Sequence, residues 1–398
     1  MNKDNFTFVD SSEKLDNEQI RPSLTYWQDV WRRLKKNKLA IMGLSGVVLI
    51  VLFAVFGPLF RPFSYSDQDL RFKNIPPKID VYQLAEDRYV YLSQDYHLIA
   101  VTENGELIDK YERIKTDAIN RVYTYALEAD GQEVALDFGN KVKANKGEDV
   151  PYVFKFTFAG SETTEIFDKM SNKTYVLGTD ALGRDLLTRV MFGARISLIV
   201  AGVAAVINLF IGVIYGSVSG FFGGTVDLIM MRIVDIINSI PLLLYVILLL
   251  VVLDDRGLGT IILALITVYW VGMARLVRGQ TLGIKNQEYV LAARTIGVSN
   301  INIITRHIIP NALGPIIVSL TMMIPSAVFT EAFLSFIGLG VSAPQASLGT
   351  LASDGAQLIR VFPYQLIWPA LTIAWMMLSF NFLGDGLRDA LDPRLRKG

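Results

Sequence analysis

Long runs of apolar residues with few or no charges recur along the chain and are separated by polar segments. Six of these runs are near the length of about 20 residues that an apolar helix needs to cross a bilayer. They occupy residues 39–60, 197–219, 228–253, 258–273, 311–330 and 361–384. The pattern predicts an all-α polytopic membrane protein with six transmembrane helices. Glycines and a proline interrupt the uncharged residues 332–353, so we expect an outer segment there that does not span.

Residues 61–178 break this pattern and contain apolar and polar positions in the alternation that is typical of β-strands. Glu103-Asn104-Gly105 and Asp130-Gly131 are turn sequences that favour β-hairpins. The strands that they would join lie at 96–102 and 106–111, and at 122–127 and 133–138, with a further strand at 152–158. We therefore expect a small β-rich domain over roughly residues 80–170.

Charges near the ends of the apolar runs predict the orientation. Five basic residues precede the first run, and five Lys and Arg against one acid lie between Arg275 and Pro310. By the positive-inside rule, both termini and the segment before Pro310 are cytoplasmic and the insert is extracytoplasmic. The predicted parts are a cytoplasmic tail with an interfacial helix (1–38), the first span (39–60), the β-rich insert (61–178) and a five-helix membrane core (179–398).

Residues 24–38 place Trp27 and Trp31 at helical spacing and end in a cluster of Lys and Arg. This composition is typical of an amphipathic helix that lies along a membrane surface with its tryptophans at headgroup level. A helix that packs on its own protein is the alternative, and the sequence leaves both open.

Three polar or helix-breaking residues lie inside or directly after the apolar runs. Asn238 and Pro241 interrupt the third run, and a proline there frees a carbonyl and kinks the helix. Glu331 follows the fifth run, and an acid near membrane depth is a functional hypothesis by default. We take the three as a possible translocation path. For Glu331, the alternatives are a conduit or sister-subunit contact and a position at the outer water interface.

Two acids before the second run suggest local contacts at its outer end. Asp180 is placed to cap a helix that starts near residue 181. Asp185 and Arg189 stand four residues apart with the acid first, the favourable order for an ion pair on a helix.

A moderately polar loop, residues 286–310, separates the fourth and fifth runs. Its periodicity predicts two short helices, at 287–296 and 300–309. Gly297 suits the left-handed residue that ends a helix, and Ser299 suits the cap of the next. Pro310 is expected to stop or kink the helix at the end of the loop. The small pair Ala292 and Ala293 would let a partner approach the first helix closely.

This loop resembles the "EAA loop" of binding-protein-dependent ABC importer permeases. The resemblance rests on Ala292-Ala293, on Gly297 four residues after that pair, and on Pro310. Leu291 stands where the general pattern has Glu, and Glu288 is not its match. The stretch from Gly178 to Asp185, followed by Phe192-Gly193-Ala194-Arg195, is similar to the C-type subunits of the dipeptide, oligopeptide and nickel branch.

The resemblance implies the type I importer fold and a docking role for the loop. It implies that residues 286–310 form a coupling helix seated in a cleft of a cytoplasmic ATPase. The candidate residues of this coupling loop are Glu288, Ala292, Ala293, Arg294, Gly297, Ser299 and Pro310, with Glu288 included as a loop residue and not as a match to the family's Glu. The implied partners are a second homologous permease, two ATPase subunits that hold ATP and Mg, an extracellular substrate-binding protein and the lipid of a bacterial plasma membrane. Oligopeptides are the implied cargo.

The resemblance covers residues 24–78 and 175–398. Related permeases often connect these points by a much shorter loop, so it is not expected to extend to the insert.

Composition narrows the possible functions. The chain has no Cys and only two His, so thiol chemistry is excluded and a histidine-based metal site is not expected. No phosphate-binding Gly-x-x-x-x-Gly-Lys-Ser/Thr motif or catalytic motif is present. We therefore expect no catalytic residue, no bound cofactor or metal and no nucleic-acid partner. The remaining alternatives are an importer of nickel or another small solute, and a membrane-anchored receptor that senses a ligand through the insert.

Overall fold

The computed structural model describes residues 25–127, 132–254 and 257–392, which form a helical membrane part and a β-rich insert. The N-terminal helices are α1 (Tyr26–Lys36) and α2 (Lys38–Phe56), and α3 (Gly139–Asn145) lies in the insert. The remaining helices are α4 (Leu186–Phe222), α5 (Gly224–Ser239), α6 (Leu242–Leu253), α7 (Leu258–Ile284), α8 (Glu288–Thr295), α9 (Asn300–Ile303), α10 (Ile309–Leu334), α11 (Leu348–Gln357) and α12 (Tyr364–Leu391).

Among the described residues, five helical stretches are long and apolar enough to cross a membrane, and the total is up to six if a bent pair of helices is one span. The five stretches are Lys38–Phe60, Leu186–Phe222, Leu258–Ile284, Asn300–Leu339 and Tyr364–Leu391. The bent pair is α5 and α6, which meet at 83°. The six predicted apolar runs therefore correspond to these elements, but the third is broken rather than only kinked.

The described residues of the insert form ten antiparallel strands in two five-stranded sheets. The first sheet has the order β10-β1-β2-β3-β4 and the second the order β5-β6-β7-β8-β9. The strands are β1 (Lys78–Ala85), β2 (Arg88–Leu92), β3 (Leu98–Val101), β4 (Leu107–Lys110), β5 (Glu112–Asp117), β6 (Val122–Ala126), β7 (Glu133–Asp137), β8 (Lys155–Phe158), β9 (Ser161–Thr163) and β10 (Asp168–Ser171).

Both predicted hairpins are present as antiparallel pairs, β3 with β4 and β6 with β7. Asp130-Gly131 of the second turn lies outside the described residues. The strand predicted at 152–158 is shorter and begins at Lys155.

The first sheet is buried on both faces. One face packs against the second sheet through side chains such as Val90, Leu98 and Phe156. The other face packs on the segments that connect the insert to the helices, with Ile75, Ile99 and others in one cluster. All four residues of β3 are buried as a result, whereas a sheet with one wet face would alternate.

The insert is joined to the last membrane helix by buried hydrogen bonds around Thr179. The Tyr364 hydroxyl and the Gln365 side-chain amide donate to the Thr179 carbonyl at 2.9 and 3.1 Å. Gln365 also donates to the Asn74 side chain at 3.0 Å. Asn74 and Thr179 flank the β-rich domain in sequence, so these bonds fix its base to the start of α12.

The sequence prediction for the start of α4 was wrong. Asp185, not Asp180, caps the helix, accepting from the Thr188 amide at 3.1 Å. The Asp180 carboxylate instead accepts from Arg184 at 2.7 Å and also pairs with Arg189. The expected pair of Asp185 and Arg189 is therefore replaced, and Asp185 pairs with Arg61 from the end of the first span at 3.3 Å.

α11 brings the exposed carboxylate of Asp354 close to this group. Partial desolvation raises the pKa of Asp354, although Arg189 and Arg184 oppose the shift. α11 follows a wide turn at Ser335–Leu339, where Gly338 has φ +87°. This break confirms that residues 332–353 do not form a continuous span.

Glycines let α4 and α7 approach closely. A Cβ at Gly212, Gly216 or Gly220 would lie within 3 Å of α7 atoms, and at Gly216 it would lie 2.3 Å from the Ala274 carbonyl oxygen. These three positions repeat every four residues and so lie on one face. Gly202 lies on the same helix but has open space around it.

We predict that Gly216→Val destabilises the protein and that Gly202→Val does not. The valine at 216 must displace the backbone of α7, and overpacking of this kind costs about 1–3 kcal/mol. Free energies of unfolding of the purified variants, measured by titration with a denaturing detergent, check this. Equal stability of the two variants would show that α4 and α7 are not in close contact.

Candidate functional site

The loop between α7 and α10 forms two short helices joined by a tight turn. α8 ends in a left-handed Gly297 with φ +83°. The Gly297 amide donates to the Arg294 carbonyl and the Val298 amide to the Ala293 carbonyl, both at 3.1 Å. This is the Schellman arrangement, in which the residue after the helix supplies the left-handed conformation. The prediction for Gly297 is confirmed.

Ser299 begins the second helix as predicted. Its hydroxyl accepts from the Asn302 amide at 3.4 Å. After α9, a wide π turn at Ile304–Ile308 leads directly into α10. Pro310 lies in the first turn of α10, directly after the π turn, so of the two expected effects, a stop or a kink, the stop was wrong. A proline is tolerated there because backbone N–H groups in the first turn of a helix have no acceptor within the helix, so the N–H that proline lacks is not needed.

One face of the two helices packs on the end of α4. The shared apolar cluster contains Phe221 of α4 and Val290, Ala293, Ile303, Ile304 and Ile308 of the loop. The Arg294 guanidinium lies 5.1 Å from the centre of the Phe221 ring. The Lys285 ammonium donates to the Gly220 carbonyl at 2.8 Å, at the last turn of α4. The loop is therefore fixed to α4 at both ends of α8.

The opposite face of the loop is exposed and apolar. Ile296 is 80% exposed and Ile301 is 73% exposed, and Leu291 and Tyr289 are also exposed. A cluster of exposed large apolar side chains marks a site of interaction. The surface formed by Tyr289, Leu291, Ala292, Ile296 and Ile301 is named the docking face.

The two alanines do not act as a pair. Ala293 is buried in the Phe221 cluster, whereas Ala292 is exposed on the docking face. Consecutive residues on a helix point about 100° apart, which explains the split. Glu288 is exposed in the first turn of α8, where an acid complements the helix dipole.

Ion pairs cross-link the helix ends near the loop. The Arg278 guanidinium of α7 donates two bonds to the Asp227 carboxylate of α5, at 2.5 and 2.6 Å. Ser219 of α4 donates to the same carboxylate at 2.5 Å. Arg275 and Asp235 form a second pair at 3.0 Å. From the sequence alone, these charges indicated only the cytoplasmic ends of the helices. The ion pairs could not be predicted, because their partners lie on separate helices far apart in sequence.

Asn238 and Pro241 lie at the bend between α5 and α6. Both are exposed in the single chain. Pro241 is the N-cap residue of α6. Their role in a translocation path stays a prediction.

The structure corrects one of the alternatives for Glu331, the position at the outer water interface. Its carboxylate is completely buried and accepts from the Ser197 and Ser335 hydroxyls at 2.6 and 2.7 Å. Ser197 lies on α4, so Glu331 joins α10 to α4 within this chain. The carboxylate therefore does not contact outer water, and the two serine hydroxyls supply the donors that a buried acid needs. A role of Glu331 in a translocation path stays a prediction.

Within the described ranges, no group of three or more His, Asp or Glu side chains is arranged to hold a metal ion. The site can offer a partner an apolar surface and backbone rigidity, and it presents no cluster for acid–base chemistry.

Comparison with known proteins identifies the family. A family model described as "Binding-protein-dependent transport system inner membrane component" matches residues 209–397. A second, "N-terminal TM domain of oligopeptide transport permease C", matches residues 25–77. The methionine transporter MetNI in an inward-facing form has 20% identity and a TM-score of 0.43 over 51% of this chain and 96% of that chain, a likeness too weak to support a conclusion.

Curated relatives match nearly the whole chain. The oligopeptide transport system permease protein OppC of Bacillus subtilis is 40% identical over 96% of this chain and 94% of its own length. The dipeptide transport system permease protein DppC of Bacillus subtilis is 40% identical over 95% and 88%. DppC of Lactococcus lactis is 37% identical over 99% and 98%.

Alignments of this extent include most of the insert. The expectation that the resemblance would stop at residues 78 and 175 was therefore wrong. On these matches, the chain belongs to the family of binding-protein-dependent transport system inner membrane components, together with the oligopeptide and dipeptide permease proteins.

Proposed function

We propose that this chain is the permease subunit of an ATP-driven importer that carries oligopeptides across a bacterial plasma membrane. The docking face carries the proposal, because it is apolar and exposed while its back is fixed to α4. The names of the relatives, which are oligopeptide and dipeptide permease proteins, support the choice of cargo. These names do not support nickel as the cargo, and they do not support a receptor that does not transport.

The proposed assembly contains parts that this chain lacks. A second homologous permease completes the conduit, two cytoplasmic ATPases hold ATP and Mg, and an extracellular binding protein delivers the peptide. Both termini and the docking face are cytoplasmic, and the insert lies outside. The excess of basic residues around the loop and before the first span supports this orientation.

The mechanism is mechanical transmission. The ATPase closes on ATP and moves the docking face. The Schellman turn at Gly297 and the Phe221 cluster keep α8 from moving alone, so α4 moves with it. The π turn at Ile304–Ile308 continues into α10, which carries the motion to a second span. The described part of the chain supplies stiffness and a contact surface.

We predict that Gly297→Val uncouples ATP hydrolysis from uptake and that Gly297→Asn does so much less. A β-branched residue at positive φ costs about 1–2 kcal/mol, whereas Asn visits this conformation more readily. A Cβ at Gly297 has nothing within 4 Å, so the effect reports backbone strain and not crowding.

The measurement is peptide uptake per ATP hydrolysed in proteoliposomes that contain the whole importer. The Val variant is expected to hydrolyse ATP with little uptake. Normal uptake and normal ATP use by that variant would remove the coupling role of the turn.

We predict that Ile296→Asp weakens attachment of the ATPase subunits. The substitution places a charge in the middle of an apolar contact, where it must lose its water. Ile119→Asp is the matched control, because Ile119 is 91% exposed in the insert. The amount of ATPase that co-purifies with each tagged variant is compared. Equal recovery from both would mean that the docking face is not the attachment site.

We predict that cells lacking this chain fail to grow when a defined oligopeptide supplies a required amino acid, and that the free amino acid restores growth. Nickel-limited growth is the parallel measurement, and it should be unaffected. Loss of nickel uptake with normal growth on the peptide would contradict the choice of cargo and leave the transport role intact.

A further inference from the structure

α1 has two faces that meet different surroundings. Val30 and Leu34 are buried in one cluster with Ala390 and Leu391 at the end of α12. Val318 of α10 packs against the same cluster. Contacts within the chain therefore bury the inner face of α1.

The outer face of α1 is aromatic and exposed. Trp27 is 54% exposed and Trp31 is 47% exposed. The Lys35 ammonium lies 5.1 Å from the centre of the Trp31 ring, so a cation and an aromatic ring share this surface. Tryptophan is enriched where hydrocarbon meets lipid headgroups.

The exposed side of α1 also carries unbalanced positive charge. Asp29, the acid of α1, pairs with Arg33 at 2.6 Å. Arg32, Lys35 and Lys36 are exposed. Among the residues that the structure describes, no carboxylate lies within ion-pair distance of these three cations. A surface of this kind fits an anionic partner.

The position of α1 fixes the depth of these charges. The Asn37 side chain separates α1 from α2 by accepting from the Leu39 and Ala40 amides at 3.1 and 3.2 Å. The first span then begins at Lys38. The basic residues therefore lie within one turn or two of the point where the chain enters the apolar layer.

We propose that Trp27, Trp31, Arg32, Lys35 and Lys36 bind the headgroups of anionic phospholipids in the cytoplasmic leaflet. The proposal rests on the cytoplasmic orientation of the N-terminus in the proposed function. Each basic residue near a membrane surface strengthens attraction to anionic lipid by about fivefold. Because α1 also packs on α12 and α10, bound lipid holds the inner ends of both helices at the membrane surface.

The chain has no cysteine, so a single label can report the lipids beside α1. Leu39→Cys is a suitable site, because Leu39 is 55% exposed at the start of the first span. The full-length labelled protein is placed in phosphatidylcholine nanodiscs. Quenching of the label by brominated phosphatidylglycerol is divided by quenching by brominated phosphatidylcholine at the same mole fraction.

The labelled protein with its basic residues intact should give a quenching ratio, phosphatidylglycerol over phosphatidylcholine, well above one. The triple variant Arg32→Gln, Lys35→Gln, Lys36→Gln should bring the ratio to about one, because its attraction falls by roughly a hundredfold if the three charges add. The matched control removes three exposed lysines of the insert, Lys115→Gln, Lys143→Gln and Lys146→Gln, and should keep the high ratio. Replacing Lys35 and Lys36 by Arg should keep it as well.

A ratio of one with the charges in place overturns the proposal, and so does an unchanged ratio in the triple variant. Loss of co-purifying ATPase from the triple variant with an unchanged ratio would show that this face binds protein instead of lipid. The quenching ratio is measured without peptide, so it does not depend on whether the protein transports peptides. The test is therefore independent of the cargo assignment.

Discussion

The burial of Phe221 at the end of α4 is the interaction on which the functional site depends. Helices of eight and four residues, the lengths of α8 and α9, are unstable in isolation, because a short helix gains too few bonds to offset its nucleation. The Phe221 cluster supplies the missing stability through apolar contacts from both helices. The interaction that gives the loop its shape is thus also the one that attaches it to a membrane helix. A partner that pushes on the docking face must move α4 or break this cluster.

The breaks at prolines in the long helices differ in how the lost hydrogen bond is handled. In a bilayer, a backbone carbonyl without a partner costs several kcal/mol. Pro58 cannot donate to the Ala54 carbonyl, and Arg195 of α4 donates to it instead at 2.9 Å. The π turn before Pro310 lets the helical path continue into α10. At Pro241 the chain turns by 83° in an exposed stretch.

Features that depend on a few neighbouring residues could be predicted from the sequence. The left-handed Gly297, the cap at Ser299 and the β3–β4 hairpin follow from local rules and are present. Features that depend on distant partners could not. Asp180 pairs with two arginines instead of capping, and Glu331 finds a serine on another helix. Sequence spacing does not show which residues from separate helices will meet, and the same limit hid the asymmetry between Ala292 and Ala293.

The distance between the docking face and the end of α4 during the ATP cycle tests the central claim most directly. Spin labels at Thr295→Cys and Phe222→Cys, both exposed positions in a chain without cysteine, report this distance in the assembled, ATP-hydrolysing importer. Rigid transmission predicts one distance distribution that is the same with ADP and with a trapped ATP analogue. A distribution that shifts or splits between the two states would show that the loop moves on α4, and would contradict the claim.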